Sequence, residues 1–211
     1  LCYHRGTAEE LFQHSFRASE PGLLSVTDYP HLEQEIGIAL RFLRKSQLQR
    51  RVGVNVLVYG PPGTGKTELC RMLASELDRE LYEVATSDRD GDPIPGHHRL
   101  CALRSSMHVL RGSQALVLLD EIEDIFQESG SRSRRLYKSW VNRMLEENSQ
   151  PCFWLSNDIR ELDPAYIRRF DLIIEAANPA RESREQILLN LGAERLGKDM
   201  LDKLAGHDAP A

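Results

Sequence analysis

An α/β fold with a mainly parallel, three-layer sheet is predicted by three features of this 211-residue chain. Short apolar runs alternate with amphipathic helical stretches. One run, Ala115 to Leu119 (ALVLL), is apolar at every position, as in a strand covered on both faces. A glycine-rich turn directly follows the first apolar run and leads directly into a helical pattern.

The elements follow in order. Residues Leu1 to Glu20 are mixed and carry no clear assignment. His31 to Ser46 has an amphipathic stripe through Leu32, Ile36, Leu40 and Leu43. Five strands are expected: Val54 to Tyr59, Glu80 to Thr86, Ala115 to Leu119, Cys152 to Leu155 and Leu172 to Ile174. Helices are expected after Thr67 (Leu69, Met72, Leu73, Leu77), through Leu100, Leu103, Met107 and Leu110, and through Leu136, Trp140, Met144 and Leu145. Asp88 to His98 and Ser129 to Ser133 read as flexible loops. Pro179-Ala180 reads as a boundary, with two short helices beyond it, Arg181 to Gly192 and Lys198 to Ala205.

Composition narrows the function classes. With 41% hydrophobic and 28% charged residues, the chain matches a soluble globular protein and excludes a disordered or fibrous one. No apolar run approaches the roughly 20 residues of a membrane helix, and none resembles a signal peptide. A net charge of −5 argues against a domain held on nucleic acid by bulk charge. Cys2, Cys70, Cys101 and Cys152 lie far apart without a C-x-x-C pair, so a reducing, cytoplasmic setting is expected. The first residue is Leu1 rather than Met, which reads as a fragment or a processed chain.

Four motifs carry chemistry. The first is GPPGTGKT, Gly60 to Thr67, between a strand and a helix. Its glycines let backbone N–H groups converge on an anion, and the helix N-terminus adds its positive end. Lys66 can reach β- and γ-phosphates, and the Thr67 hydroxyl can bind Mg²⁺. The second is LVLLDEIED, Leu116 to Asp124, where a buried strand ends in Asp120-Glu121 at the edge where α/β sheets bind ligands. Asp120 suits magnesium, and Glu121 suits activation of an attacking water. The third is Asn157 at the end of CFWLSN, whose amide could hold a γ-phosphate or the water. The fourth is LDPAYIRRFD, Leu162 to Asp171: Asp163-Pro164 starts a helix that ends in Arg168-Arg169. Arginine suits phosphate, yet the local pattern alone fits a solvated basic helix end as well.

In this order and spacing the motifs resemble the AAA ATPase family, within the broader AAA+ group, over about Ser25 to Ile174. The resemblance implies a Walker A loop at Gly60, Pro61, Pro62, Gly63, Thr64, Gly65, Lys66 and Thr67, with Glu68 beside it, and a Walker B strand ending at Asp120 and Glu121. Asn157 takes the position of sensor 1. Arg168 and Arg169 take the place of fingers that reach a neighbouring subunit's nucleotide. Adenine contacts are implied around Thr27 to Tyr29, hence Asp28 and Tyr29. Implied too are ATP/ADP and Mg²⁺, a homo-oligomeric ring (commonly a hexamer), and remodelling of an unidentified client protein. The matching division is an N-terminal extension (1–24), a nucleotide-binding α/β subdomain (25–180) and the start of a helical lid (181–211).

This sequence departs from the family pattern in three places. The loop after the second strand reads GDPIPG, with Ile94-Pro95-Gly96 where unfoldases carry an aromatic. The lid stops before any sensor 2 residue. The finger motif lacks a Pro-Gly insertion, as in the microtubule-severing and membrane-remodelling branches. His97-His98 is read as two rings that point apart, not as a metal site. Arg132, Arg134, Arg135 and Lys138 form a basic cluster better suited to an interface than to nucleic acid. The other functions weighed are a small-molecule kinase, a nucleotide-gated scaffold with little hydrolysis, and a DNA-acting motor.

Overall fold

The computed structural model describes residues 15–127 and 134–177, without the side chains of 127 and 134–137. Outside these lie the expected loop at 129–133, the lid helices beyond 180, the side chains of Arg132, Arg134 and Arg135, and most of the N-terminal stretch.

Six strands form one sheet: β1 (Phe16–Ala18), β2 (Asn55–Tyr59), β3 (Leu81–Val84), β4 (Leu116–Leu119), β5 (Cys152–Ser156) and β6 (Leu172–Glu175). Their order is β1-β3-β4-β5-β2-β6. The last five are the five expected strands, and all of their pairings are parallel. The sixth, β1, was not expected; it runs antiparallel to β3, with Phe16 opposite Val84. Only Phe16 of its three residues is buried. Its ring packs edge-on against Tyr82 at 6.1 Å. Three residues with one apolar contact make no periodic signal; the open edge of β3 specifies this strand.

Among the described residues six α-helices flank the sheet: α1 (Glu33–Leu48), α2 (Lys66–Glu76), α3 (Gly96–Val109), α4 (Glu123–Gln127), α5 (Arg134–Glu147) and α6 (Pro164–Ile167). Successive strand residues alternate between two cores, as the pleat requires. Val56, Val58, Leu116, Leu118, Phe153 and Leu155 pack with Ile36 and Leu43 of α1 and Leu69 and Leu73 of α2. Leu57, Val117, Leu119, Cys152 and Trp154 pack with Leu100 and Leu103 of α3 and Val141 and Leu145 of α5. That is the expected three-layer arrangement. Asn55 pairs two buried polar groups on this second face: its Oδ1 accepts from Trp154 Nε1 (2.9 Å), and its Nδ2 donates to the Leu145 carbonyl (2.6 Å).

One loop is shorter than expected. Helix α3 begins at Gly96, so only residues 88–95 are loop. That loop is folded on itself: the Asp88 carboxylate accepts from the N–H groups of Asp90 (2.9 Å) and Asp92 (3.0 Å). His97 and His98 are therefore helical, and their rings lie 4.0 Å apart, centroid to centroid. Both are exposed on the first turn, where neighbouring rings can lean together, so they do not point apart as expected.

Strand β2 is the pivot of the topology. It sits between β5 and β6, so the chain leaving it must cross over two strands to reach β3. Crevices at the C-terminal ends of strands beside such a reversal are where open parallel sheets bind ligands. The ends of β2, β4 and β5 carry residues 60–67, 120–121 and 157.

Candidate functional site

The loop after β2 is shaped by backbone packing. A Cβ on Gly60 would lie 2.2 Å from the carbonyl oxygen of Ala176, so only glycine fits beside the end of β6. Gly63 and Gly65 have φ of 81° and 78°, and a Cβ on either would meet nothing within 4 Å. The turn is thus tight on the sheet side and open on the other. Gly65 caps α2 in a left-handed conformation. The first N–H groups of α2, which a helix leaves without internal partners, face the same opening as its positive dipole end.

Lys66 is the first residue of α2 and is buried. Its ammonium donates to the carbonyls of Gly60 (2.8 Å) and Pro61 (3.1 Å) and to Asn157 Oδ1 (2.9 Å). Burial lowers its pKa, opposed by the nearby carboxylates of Asp120 and Glu123. The Thr67 hydroxyl lies 3.2 Å from Asp120 Oδ2. A hydroxyl and a carboxylate at that separation fit a small, hard cation that keeps most of its waters. The open cradle beside a buried ammonium likewise fits a polyphosphate.

Four predicted residues from three strand ends are thus in direct contact: Lys66, Thr67, Asp120 and Asn157. Glu121 adjoins them. Its side chain is exposed, and its backbone is left-handed, with φ of 49°. Its N–H donates to Asp120 Oδ1 (2.8 Å).

The two arginines behave differently from the cradle residues and from each other. Asp163 caps α6 by accepting from Ala165 N (2.7 Å), with Pro164 at the first position, as the sequence predicts. Arg168 is exposed beyond the helix. Arg169 is tied within its own chain, to Glu146 (3.0 Å) and to the carbonyl of Ala165 (2.5 Å). Neither forms a hydrogen bond or ion pair with Lys66, Asp120 or Asn157 among the described residues.

The N-terminal residues named for adenine line a segment docked on α2. The Glu68 carboxylate accepts from the backbone N–H groups of Leu23 and Leu24. The Asp28 carboxylate accepts from the N–H (2.8 Å) and hydroxyl (2.7 Å) of Ser25. Tyr29 is buried in the α1–α2 core, and its hydroxyl has no partner among the described residues. Burial, with Glu68 close by, pushes that phenol far above its ordinary pKa. Asp28 and Glu68 therefore fasten this segment, and Tyr29 anchors it.

Two residues were missed. Glu123 accepts from the Ser156 hydroxyl (2.9 Å) and from the N–H of Asn157, which orients the Asn157 backbone. It lies two residues past Glu121 in the same acidic run, a spacing with no signal of its own. Arg99 is 2% exposed and donates to the carbonyls of Asp120 and Glu121. Its visible signal was a charge at i−4 from Leu103 in the apolar stripe of α3.

A crossover at β2 and a cradle ahead of α2 are the architecture of P-loop nucleotide-binding proteins. Comparison with known proteins goes further. The family model described as ATPase family associated with various cellular activities (AAA) matches residues 56–178. The chain belongs to this AAA family. It is 32% identical over 171 residues to an ATP-dependent zinc metalloprotease FtsH 3 of Sphaerobacter thermophilus, covering 74% of this chain and 35% of that protein. It is 30% identical over 194 residues to a probable 26S proteasome regulatory subunit 10B of Caenorhabditis elegans, covering 80% and 46%. The chain thus spans about a third to a half of these relatives. Among solved structures it is similar to the FIGL-1 AAA domain in complex with ADP, with a TM-score of 0.64 and 22% identity, over 96% of this chain and 74% of that one. A katanin self-assembly structure matches with a TM-score of 0.64 and 21% identity, over 96% of this chain and 71% of that one. These likenesses show the fold. No described helix is long and apolar enough to cross a membrane.

Proposed function

We propose that this chain binds ATP with Mg²⁺ and hydrolyses it to ADP and phosphate, as one subunit of a homo-oligomeric ring that remodels a protein or protein complex. The observation that carries this reading is the contact set Lys66–Asn157 and Thr67–Asp120, with an exposed Glu121 beside it. The proposal places the catalytic domain at 25–180 and the start of a lid at 181–211; the family match falls within the former. A magnesium ion held by Thr67 and Asp120, with waters, would neutralise phosphate charge. Lys66 would leave its neutral carbonyl partners for β- and γ-phosphate oxygens, which offer it a stronger, charge-assisted hydrogen bond. Asn157, already against Lys66, would orient the terminal phosphate or the water. Glu121 would take the water's proton.

Because Arg169 is held by Glu146, Arg168 is the better finger. It would reach the neighbouring subunit's nucleotide, and Arg169 would brace the end of α6. The free thiols of Cys70, Cys101 and Cys152 support a cytoplasmic setting. The acidic net charge supports a protein client over nucleic acid.

Glu121→Gln should keep nucleotide affinity and lower turnover by about 100-fold or more. Unchanged turnover removes Glu121 from this role. Specific activity should climb with protein concentration and collapse in Arg168→Ala. Activity independent of concentration means that each chain works alone. A phosphorylated small molecule in place of free phosphate would favour a kinase, and DNA-stimulated turnover a DNA motor.

A further inference from the structure

Glu121 is held in a left-handed conformation that L-residues rarely adopt, with φ of 49°. Such strain persists only where the surroundings over-determine it. On the N-terminal side, the Glu121 N–H is fastened to its neighbour's carboxylate, Asp120 Oδ1. On the C-terminal side, the Ile122 N–H donates to the Leu155 carbonyl (3.1 Å). Between them, the Asp120 and Glu121 carbonyls both accept from one group, the Arg99 guanidinium. Arg99 Nη1 also donates to Asp124 Oδ1 (3.0 Å) and Oδ2 (3.2 Å) at the start of α4. Arg99 thus brackets Glu121, taking the carbonyl that precedes it and its own, and reaches on to Asp124.

A solvated arginine would be free to leave. Arg99 is 2% exposed, and removing it would strip hydrogen bonds from two carbonyls and a carboxylate at once. It enters from the first turn of α3, which is pressed against α4. A Cβ on Gly96 would lie 2.9 Å from the Ile125 Cα and 3.0 Å from the Asp124 carbonyl oxygen. The 88–95 loop runs directly into this turn.

We propose that Arg99 is a positioning residue for the hydrolysis reaction: it holds Glu121 in its left-handed conformation, and so sets where the Glu121 carboxylate stands. The same contact links the 88–95 loop to the acidic pair through one turn of helix. The proposal rests on the hydrolytic reading above. Arg99 acts through the backbone carbonyls of Asp120 and Glu121, braced by the Asp124 carboxylate.

The test compares kcat and KM for ATP in the parent chain, Arg99→Gln and Arg99→Lys, with nucleotide affinity and thermal melting recorded for each. Misplacing a catalytic group by about 1 Å costs on the order of 100-fold in rate. Arg99→Gln should therefore lower kcat by about 10- to 100-fold while KM and ADP affinity stay within about 3-fold. Arg99→Lys, which can reach only part of the set, should recover part of kcat. A folded Arg99→Gln chain with parental kcat overturns the proposal, as does a loss of kcat and affinity in proportion. If Arg99→Gln does not fold, Asp124→Asn weakens the same clasp from its half-exposed end, and it should lower kcat without moving KM. A parent chain that binds nucleotide without turnover refutes the hydrolytic reading instead. The positioning claim is then read from amide exchange: residues 120–124 should exchange faster in Arg99→Lys than in the parent, with α2 unchanged. Equal exchange there overturns it.

Discussion

Lys66 and Arg99 are buried cations on opposite faces of the same sheet edge, and both donate to backbone carbonyls. Their partners differ. Lys66 has two carbonyls and an amide oxygen, all neutral, and its pKa is lowered by burial. Arg99 has a carboxylate of its own in Asp124. A buried ammonium without a paired anion is under-compensated and gains when a phosphate arrives. A guanidinium paired with a carboxylate has its charge compensated and gains less, although the Arg99 Nε has no hydrogen-bond partner among the described residues. On the function proposed above, the difference separates a charge kept for a ligand from one that holds backbone.

The comparison breaks if the two respond alike. Lys66→Met should weaken ATP binding by roughly 100-fold, the loss of about 3 kcal/mol of charge-assisted contact, measured by calorimetric titration. Its unfolding free energy should move by less than about 1 kcal/mol. Arg99→Met should do the reverse: about 3 kcal/mol of stability lost in urea titrations, as for a broken buried ion pair, with affinity nearly kept. Equal stability losses would show that Lys66 is also structural.

The glycines sharpen the same distinction on the backbone. Gly60→Ala presses on Ala176 at 2.2 Å and should cost about 2–3 kcal/mol through displacement of β6. Gly63→Ala enters open space, so only its left-handed backbone, about 1–2 kcal/mol, should register. Thermal melts rank the two.

The smallest effect concerns Glu83, the one residue of β3 that is not fully buried. Burial tends to raise its pKa, but hydrogen bonds from Ser19 and Arg71, with the charges of Arg71 and Arg17, hold it below its ordinary value. A carboxyl lowered in the folded state contributes stability above its unfolded pKa, and that stability fades as pH falls through the folded one. The melting temperature should therefore drop on acidification below about pH 4.5, and Glu83→Gln should flatten that part of the profile. Parallel profiles for the two proteins would remove Glu83 from the acid response.

The parallel strands were legible because each is a short, mostly apolar run, and β4 is apolar and buried at every position. The cradle was legible because its glycines, lysine and threonine are adjacent in sequence, so one local pattern holds the whole device. The α6 start was legible for the same reason, since Asp163 and Pro164 act on their own helix. What was not legible depended on partners far along the chain. Strand β1 exists because β3 offers an edge 65 residues away, Ser19 bonding to Leu81 at its end. Arg169 differs from Arg168 because Glu146 and the Ala165 carbonyl both hold it.

Taken alone, the amino-acid order determined the fold class, the glycine-rich loop between β2 and α2, and the acidic pair that ends β4. All of these rest on periodicity or on contiguous motifs, where local backbone preference and burial act over a few residues. Only the tertiary structure decided which buried cation has a carboxylate partner, which arginine is bound within its own chain, and which side chain donates to the Asp120 and Glu121 carbonyls. Those outcomes follow from charge compensation, and compensation depends on what folding brings within hydrogen-bond reach.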